Sequence, residues 1–403
     1  MHGVGSSLYV FLALLGGAAL MPLLAARLRI PAPVLLILYG VLIGPHGLNM
    51  VHNSPVEGFL SELGFILLMF LAGLEIDFNG LRLRGPRTIA VLGVVSAMVV
   101  GLSMLAAWRM GMPVIQGLAL GAISVGMPLA LLKDSGHLRT GPGQNILLLG
   151  SIGEFLTVIA MTLVDLGLRH GATLAFLGGC LQLMGFLAVA GLVLRLLVAL
   201  AWWRPETFGG LVREHASELG VRASLFAMAA FSVIAMMAGV EPIVGAFLAG
   251  TLIAFVLRGK EVLEEKLSVV GHGLFIPIFF VGVGLRFDPN VITGPNLQLA
   301  AILLVVVFTF RLVPSLLLVG IGLRWNEIVA SSALLSCPLT LMVAIATLGA
   351  EVGVLDETQK GTMVLLAIAS GVLFPLVFRW LARSWPREPE GRGRIAPEMR
   401  VQS

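Results

Sequence analysis

Charge is what this sequence has least of. Its 403 residues carry 26 Lys and Arg against 22 Asp and Glu, 12% in all, where a soluble domain holds roughly 25%. With 58% hydrophobic residues and a mean hydropathy of +1.00, too little polar surface exists to cover a water-soluble fold. The helices must be apolar on every face, and the bilayer is the solvent. A net charge of +4 spread along such a chain leaves no basic footprint, which excludes nucleic acid as a partner despite a pI near 9.5. Cysteine is nearly absent: Cys180 and Cys337 both sit in apolar runs, excluding a disulfide framework and a metal cluster. The seven His are scattered without metal-ligand spacing. No nucleophile-base-orienter pattern and no phosphate-cradling loop occurs, so neither a cofactor nor enzyme chemistry is expected.

What is there is a series of apolar runs long enough to cross a membrane. Thirteen spans are predicted, at about 8–26, 32–49, 57–75, 87–108, 113–133, 144–165, 171–199, 222–239, 241–257, 267–285, 297–322, 327–349 and 360–381. If the chain alternates sides, 21 of the 26 basic residues fall on one side, four (Arg109, Arg169, Arg286 and Lys360) on the other, and Arg311 inside a span. The positive-inside rule then places the N-terminus outside and the C-terminus in the cytoplasm. The first run lacks a positive n-region, with Arg27 and Arg29 following it, and reads as a span rather than a cleaved signal.

Three features recur at a nearly constant offset. Pro33 and Pro242 open apolar, Gly-rich spans; Gly73-Leu74-Glu75-Ile76-Asp77 closes span three as Gly284-Leu285-Arg286-Phe287-Asp288 closes span ten, 211 residues on; Pro128 and Pro338 interrupt spans five and twelve, 210 apart. An odd number of intervening spans gives the halves opposite orientation, the inverted-repeat signature of secondary transporters. The expected organisation is a first repeat over 1–170, a linker span and cytoplasmic connection over 171–222, a second repeat over 223–383 and a short cytoplasmic tail over 384–403. Proline removes a donor and clashes with the preceding turn, so Pro128 and Pro338 are expected to break their spans near mid-membrane.

Few ionisable residues lie deep. Glu154 falls near the middle of span six and Arg311 near the middle of span eleven, where a charge costs about 2.5 to 3.5 kcal/mol on insertion scales. Pairing the two is the economical arrangement. His272, in the first turns of span ten, reads as a structural residue, and Glu75, Asp77, Arg286 and Asp288 are expected at the interfaces, with Lys133 and Asp134 closing span five.

Several stretches resemble the monovalent cation:proton antiporter superfamily, in particular its branch of bacterial sodium/proton and potassium-efflux antiporters. They are Ile30-Pro31 through Leu42-Ile43-Gly44-Pro45-His46-Gly47-Leu48, Glu62-Leu63-Gly64 through Asp77, Gly136-His137-Leu138-Arg139-Thr140 leading to Gly143-Gln144, and Phe279-Phe280-Val281-Gly282-Val283-Gly284-Leu285. The resemblance covers spans two to thirteen. It implies an all-α polytopic fold of inverted repeats with two crossed broken helices, a moving core domain and a scaffold domain that forms a homodimer. It also implies an essential carboxylate on the span after the first broken helix, where this chain reads Gly153-Glu154 in place of the usual Asp-Asp, Asn-Asp or Gln-Asp, and a basic residue that Arg311 fits. At the first crossover members often carry Thr/Ser-Asp-Pro; this chain carries Val125-Gly126-Met127-Pro128.

The expected function is therefore exchange of a monovalent cation, Na+ or K+, for protons in a bacterial inner membrane. Glu154 would bind proton and cation in turn, with Arg311 as supporting charge and Ser124, Ser151, Ser336 and Thr340 as candidate oxygen donors beside Pro128 and Pro338. A second reading stays open: a non-transporting membrane sensor or assembly protein with Glu154 and Arg311 locked as a structural pair. No cytosolic nucleotide-binding domain is expected after the last span, so any such regulation is expected from a separate subunit.

Overall fold

In lipid the backbone must satisfy its own N–H and C=O groups, and apolar runs of this length do so as helices. The computed structural model describes residues 2–28, 30–51, 55–76, 85–138, 140–171, 173–203, 218–256 and 261–385. Among these residues every regular element is helical. In chain order they are α1 (His2–Leu28), α2 (Ala32–Ile43), α3 (Pro55–Leu74), α4 (Pro86–Arg109), α5 (Val114–Gly121), α6 (Gly126–Asp134), α7 (Gly141–His170) and α8 (Leu174–Trp203). The second half adds α9 (Glu218–Met237), α10 (Pro242–Val256), α11 (Glu261–Val270), α12 (Ile276–Leu285), α13 (Gly294–Ser315), α14 (Trp325–Leu335), α15 (Leu339–Glu351) and α16 (Glu357–Leu381). A π-helical turn, Gly271–Phe275, joins α11 to α12.

Ten described helical segments are long and apolar enough to cross a membrane, two of them composite (Val114–Leu132 across α5 and α6, Val262–Leu285 across α11 and α12), and the bent pair α14 and α15 makes an eleventh. The predicted spans two and nine are shorter helices, Ala32–Ile43 and Pro242–Val256. These two short apolar helices account for the difference from the thirteen expected spans. The connection 204–217, the tail from 386, Asp77 and the loop arginines Arg82 and Arg84 lie outside the described residues.

Two spans are interrupted. The first breaks between α5 and α6 at residues 122–125, the second between α14 and α15, with a 41° bend. Pro338 stands at its break, as the N-cap of α15. Pro128 does not: it is the third residue of α6, where its missing N–H has no helical acceptor to lose and its ring meets no preceding turn. The expected interruption is real but lies upstream of the proline that signals it.

Glycine sets how closely the short helices approach. A Cβ on Gly73 would run into the Phe247 carbonyl and one on Gly250 into that of Phe70; a Cβ on Gly40 would meet the Val281 carbonyl and one on Gly284 that of Ile37. Thus α3 crosses α10, and α2 crosses α12, at backbone contact, as small residues allow in membranes. Gly40 and Gly250 are 210 residues apart and Gly73 and Gly284 are 211 apart, so the same crossing occurs twice at the offset of the sequence repeat.

Candidate functional site

The first interruption is held by one face of α7. Gly150, Gly153, Glu154 and Thr157 recur at helical spacing, and the two glycines let residues 122–125 lie directly on the helix. A Cβ on Gly153 would come within 2.6 Å of the Ile123 side chain, and one on Gly150 within 3.2 Å of Val125. The N–H groups freed by the break then find acceptors on α7. Ile123 N–H donates to Thr157 Oγ1 at 3.2 Å, and Val125 N–H donates to Glu154 Oε2 at 3.0 Å. The Ser124 hydroxyl donates to Glu154 Oε1 at 3.2 Å. Glu154 is 1% exposed and faces the N-terminal start of α6, where the helix dipole favours an anion. Gly153 explains the missing polar predecessor: Ile123 occupies the space a side chain there would need.

Arg311 serves the opposite ends. From α13 its Nε donates to the Leu335 carbonyl at 2.7 Å, and Nη1 to those of Leu120 and Val307, both at 2.9 Å. Nη2 donates to the Ala122 carbonyl. Leu120 and Ala122 end α5, and Leu335 ends α14, so one guanidinium, 1% exposed, caps the C-termini of the first halves of both broken helices. Orphan carbonyls and the negative dipole ends are satisfied together. The expected Glu154–Arg311 pair is not formed: among the described residues no ion pair joins them, and the donors of Arg311 go to backbone oxygens. Backbone at broken ends competes for the cation, and a search over charged side chains alone does not see it.

Of the crossover candidates, Ser124 and Thr340 meet, with hydroxyl oxygens 3.3 Å apart across the two interruptions. Ser336 is turned away, donating to the Ser332 carbonyl at 2.6 Å, and Ser151 is buried on α7 outside the cavity described next. A cavity of about 580 Å³ reaches Glu154, Ser124 and Thr340 from the end of the bundle marked by Pro31 and Arg379. Glu75 and His272 line it as well. Glu75 follows the last residue of α3, beside the cavity. His272 stands on the π-helical turn, a widening often found at functional sites, with Nδ1 3.0 Å from Ser268 Oγ.

At the other end of the bundle a separate cavity of about 300 Å³ is lined by Glu62, Glu241, Arg286, Glu351 and Lys360. Arg169 bridges Asp165 at 2.8 Å and Glu241 at 2.6 Å, and Arg286 reaches the buried Glu57 at 3.4 Å. Burial, and then the neighbouring Asp165, push Glu241 above the usual carboxylate range against the pull of Arg169. Asp288 caps the short turn after α12 by accepting from Asn290 N–H at 2.9 Å. Thr157 was not singled out from the sequence, although its position three residues after Glu154 on one helical face is a readable signal.

A polytopic helical membrane protein whose two interrupted helices enclose a buried carboxylate has the architecture of a secondary transporter. The chain belongs to the sodium/hydrogen exchanger family, whose transmembrane sequence model matches residues 11–384. It is 29% identical over 407 residues to YjbQ of Bacillus subtilis (strain 168), an alignment covering 94% of this chain and 63% of that protein. It is 27% identical over 374 residues to the Na(+)/H(+)-K(+) antiporter GerN of Bacillus cereus, covering 89% and 91%. Among solved structures, the sodium proton antiporter MjNhaP1 from Methanocaldococcus jannaschii superposes with a TM-score of 0.64 at 15% identity, over 94% of this chain and 97% of that one. That likeness is one of fold.

Proposed function

We propose that the protein exchanges a monovalent cation, Na+ or K+, for protons by alternating access, with Glu154 taking up proton and cation in turn. The observation that carries this reading is a buried carboxylate at the head of a cavity of about 580 Å³, held by the Ser124 hydroxyl and Val125 N–H and, among the described residues, by no fixed cation. A guanidinium bound to Glu154 would compete with a transported ion; Arg311 is instead occupied by carbonyls and acts as a static charge at the crossing. A hard monovalent cation is coordinated by oxygens, and the Ser124 and Thr340 hydroxyls beside Glu154 supply two, with unwound backbone carbonyls and water completing the shell. The name of GerN, a Na(+)/H(+)-K(+) antiporter, and family membership support the same reaction.

The charge bias of the loops supports a cavity mouth that faces the cytoplasm from a bacterial inner membrane. The structure is then read as an inward-open form, with the Asp165–Arg169–Glu241 and Glu57–Arg286 contacts closing the outer end. The test is reconstitution into liposomes with lumenal pH followed on addition of Li+, Na+, K+ or Rb+. Wild-type protein is expected to drive a cation-dependent pH change that Glu154→Ala abolishes; undiminished exchange in Glu154→Ala refutes the mechanism. Glu154→Asp is about 1.5 Å shorter, the length of one C–C bond. It loses one of the two hydrogen bonds, and its apparent KM for the cation is expected to rise about tenfold, the effect of one hydrogen bond to a charged group.

A further inference from the structure

Resting on that reading of Glu154, we propose that Glu75 is a second cation-binding carboxylate of the same pathway, a station in the inner cavity that takes the monovalent cation on its way to and from Glu154. The position is built, not incidental. Close packing of Gly73 on the Phe247 carbonyl fixes the end of α3, and the Glu75 N–H continues the helical pattern by donating to the Leu71 carbonyl at 2.9 Å. The side chain lines the cavity that also holds Glu154, Ser124 and Thr340. A Cβ placed on Gly126 would lie 3.9 Å from Glu75 Oε2, while Val125, one residue earlier, gives its N–H to Glu154 Oε2. Two carboxylates therefore flank the start of a single half-helix.

The ionisable groups among the described lining residues are Glu75, Glu154, His272 and Arg379. Glu75 adds a second carboxylate to a low-dielectric cleft, whose walls focus the field of such a group on whatever enters. The repeat gives an independent comparison. The position 211 residues on is Arg286, which lines the outer cavity; the position faces a cavity in both halves and carries an acid only on the side that opens to Glu154.

The experiment measures cation-dependent exchange in proteoliposomes together with labelling of carboxyl groups by a hydrophobic carbodiimide, read by mass spectrometry with and without saturating Na+ or K+. Glu75→Gln is expected to raise the apparent KM for the cation about tenfold, or about 1.4 kcal/mol, with the maximal rate retained, and Glu75→Asp to recover most of the affinity. In wild-type protein, cation is expected to slow labelling of both Glu75 and Glu154; in Glu154→Gln, exchange is lost while cation still protects Glu75. An unchanged KM in Glu75→Gln, or labelling of Glu75 indifferent to cation while Glu154 is protected, overturns the station and leaves the Glu154 mechanism standing. Undiminished exchange in Glu154→Gln overturns the reading of the site itself. If Glu75→Gln fails to fold, the wild-type labelling decides alone: protection supports the station and indifference overturns it.

Discussion

Arg311→Leu, made in both the wild-type and the Glu154→Gln background, distinguishes a carbonyl cap from an ion pair. In the structure the substitution strands the carbonyls of Leu120, Ala122 and Leu335; that of Val307 keeps its helical partner. A buried acceptor left unsatisfied costs about 1 to 3 kcal/mol, so three cost up to about 9 kcal/mol at the top of that range. Removing a buried guanidinium also relieves a desolvation penalty of several kcal/mol. The net expectation is a loss of about 3 to 5 kcal/mol, the usual result of breaking a buried charged network. Because Glu154 shares no hydrogen bond with Arg311, its substitution should neither rescue nor deepen that loss, and the coupling should stay below about 1 kcal/mol, the small residue of their common neighbours at 122–125. The assay is the apparent Tm of the four detergent-solubilised proteins, read by fluorescence-detected gel filtration after heating. Two results refute the reasoning: an Arg311→Leu protein as stable as wild type, or a double variant that regains wild-type stability, since only a direct pair behaves in the second way.

Gly153→Asn restores the polar predecessor that resembling sequences carry, yet it is expected to lower the yield of folded protein, because its Cβ would lie 2.6 Å from Ile123 atoms; adding Ile123→Ala should recover monodisperse protein on gel filtration. At the outer end, Glu241 is raised by burial and by Asp165. A raised acid contributes stability that is fully present below its unfolded pKa and is lost as pH rises through the folded value. The apparent Tm is therefore expected to fall as pH rises above the ordinary glutamate value of about 4.3. Glu241→Gln should flatten that slope; an identical slope in the variant excludes Glu241 as its source.

The spans were legible because lipid enforces long apolar helices and little else produces them. Their breaks were legible only to within a turn. Pro128 marked the first interruption but sits in the first turn of α6, where proline is at ease; what opens the chain at 122–125 is the α7 face of Gly150, Gly153, Glu154 and Thr157, whose acceptors replace helical ones. Glu154 and Arg311 stood out because charge at depth is rare, but their partners did not. Side-chain identity can be read along a sequence, whereas the carbonyls that Arg311 meets exist only once two helices have broken and crossed. Glu75 was legible as an acid at a span end, but the cavity that reaches it was not, because a cavity exists only once the helices have packed.

Separating Arg311 from Glu154 also bears on how the site can move. Four backbone carbonyls on α5, α13 and α14 hold the guanidinium, so it ties the first halves of both broken helices to α13 as one body. Glu154 ties α7 to the start of α6 by hydrogen bonds from Ser124 and Val125, and both oxygens stay close to the cavity. Under the proposed mechanism, a proton or a cation arrives at Glu154 without disturbing the cap that keeps the crossing together. If the two charges were paired, every transport cycle would have to break a buried ion pair, at about 3 to 5 kcal/mol, before either substrate could bind. On that proposal the fixed charge of the frame falls to Arg311 and the titratable charge for the ion to Glu154.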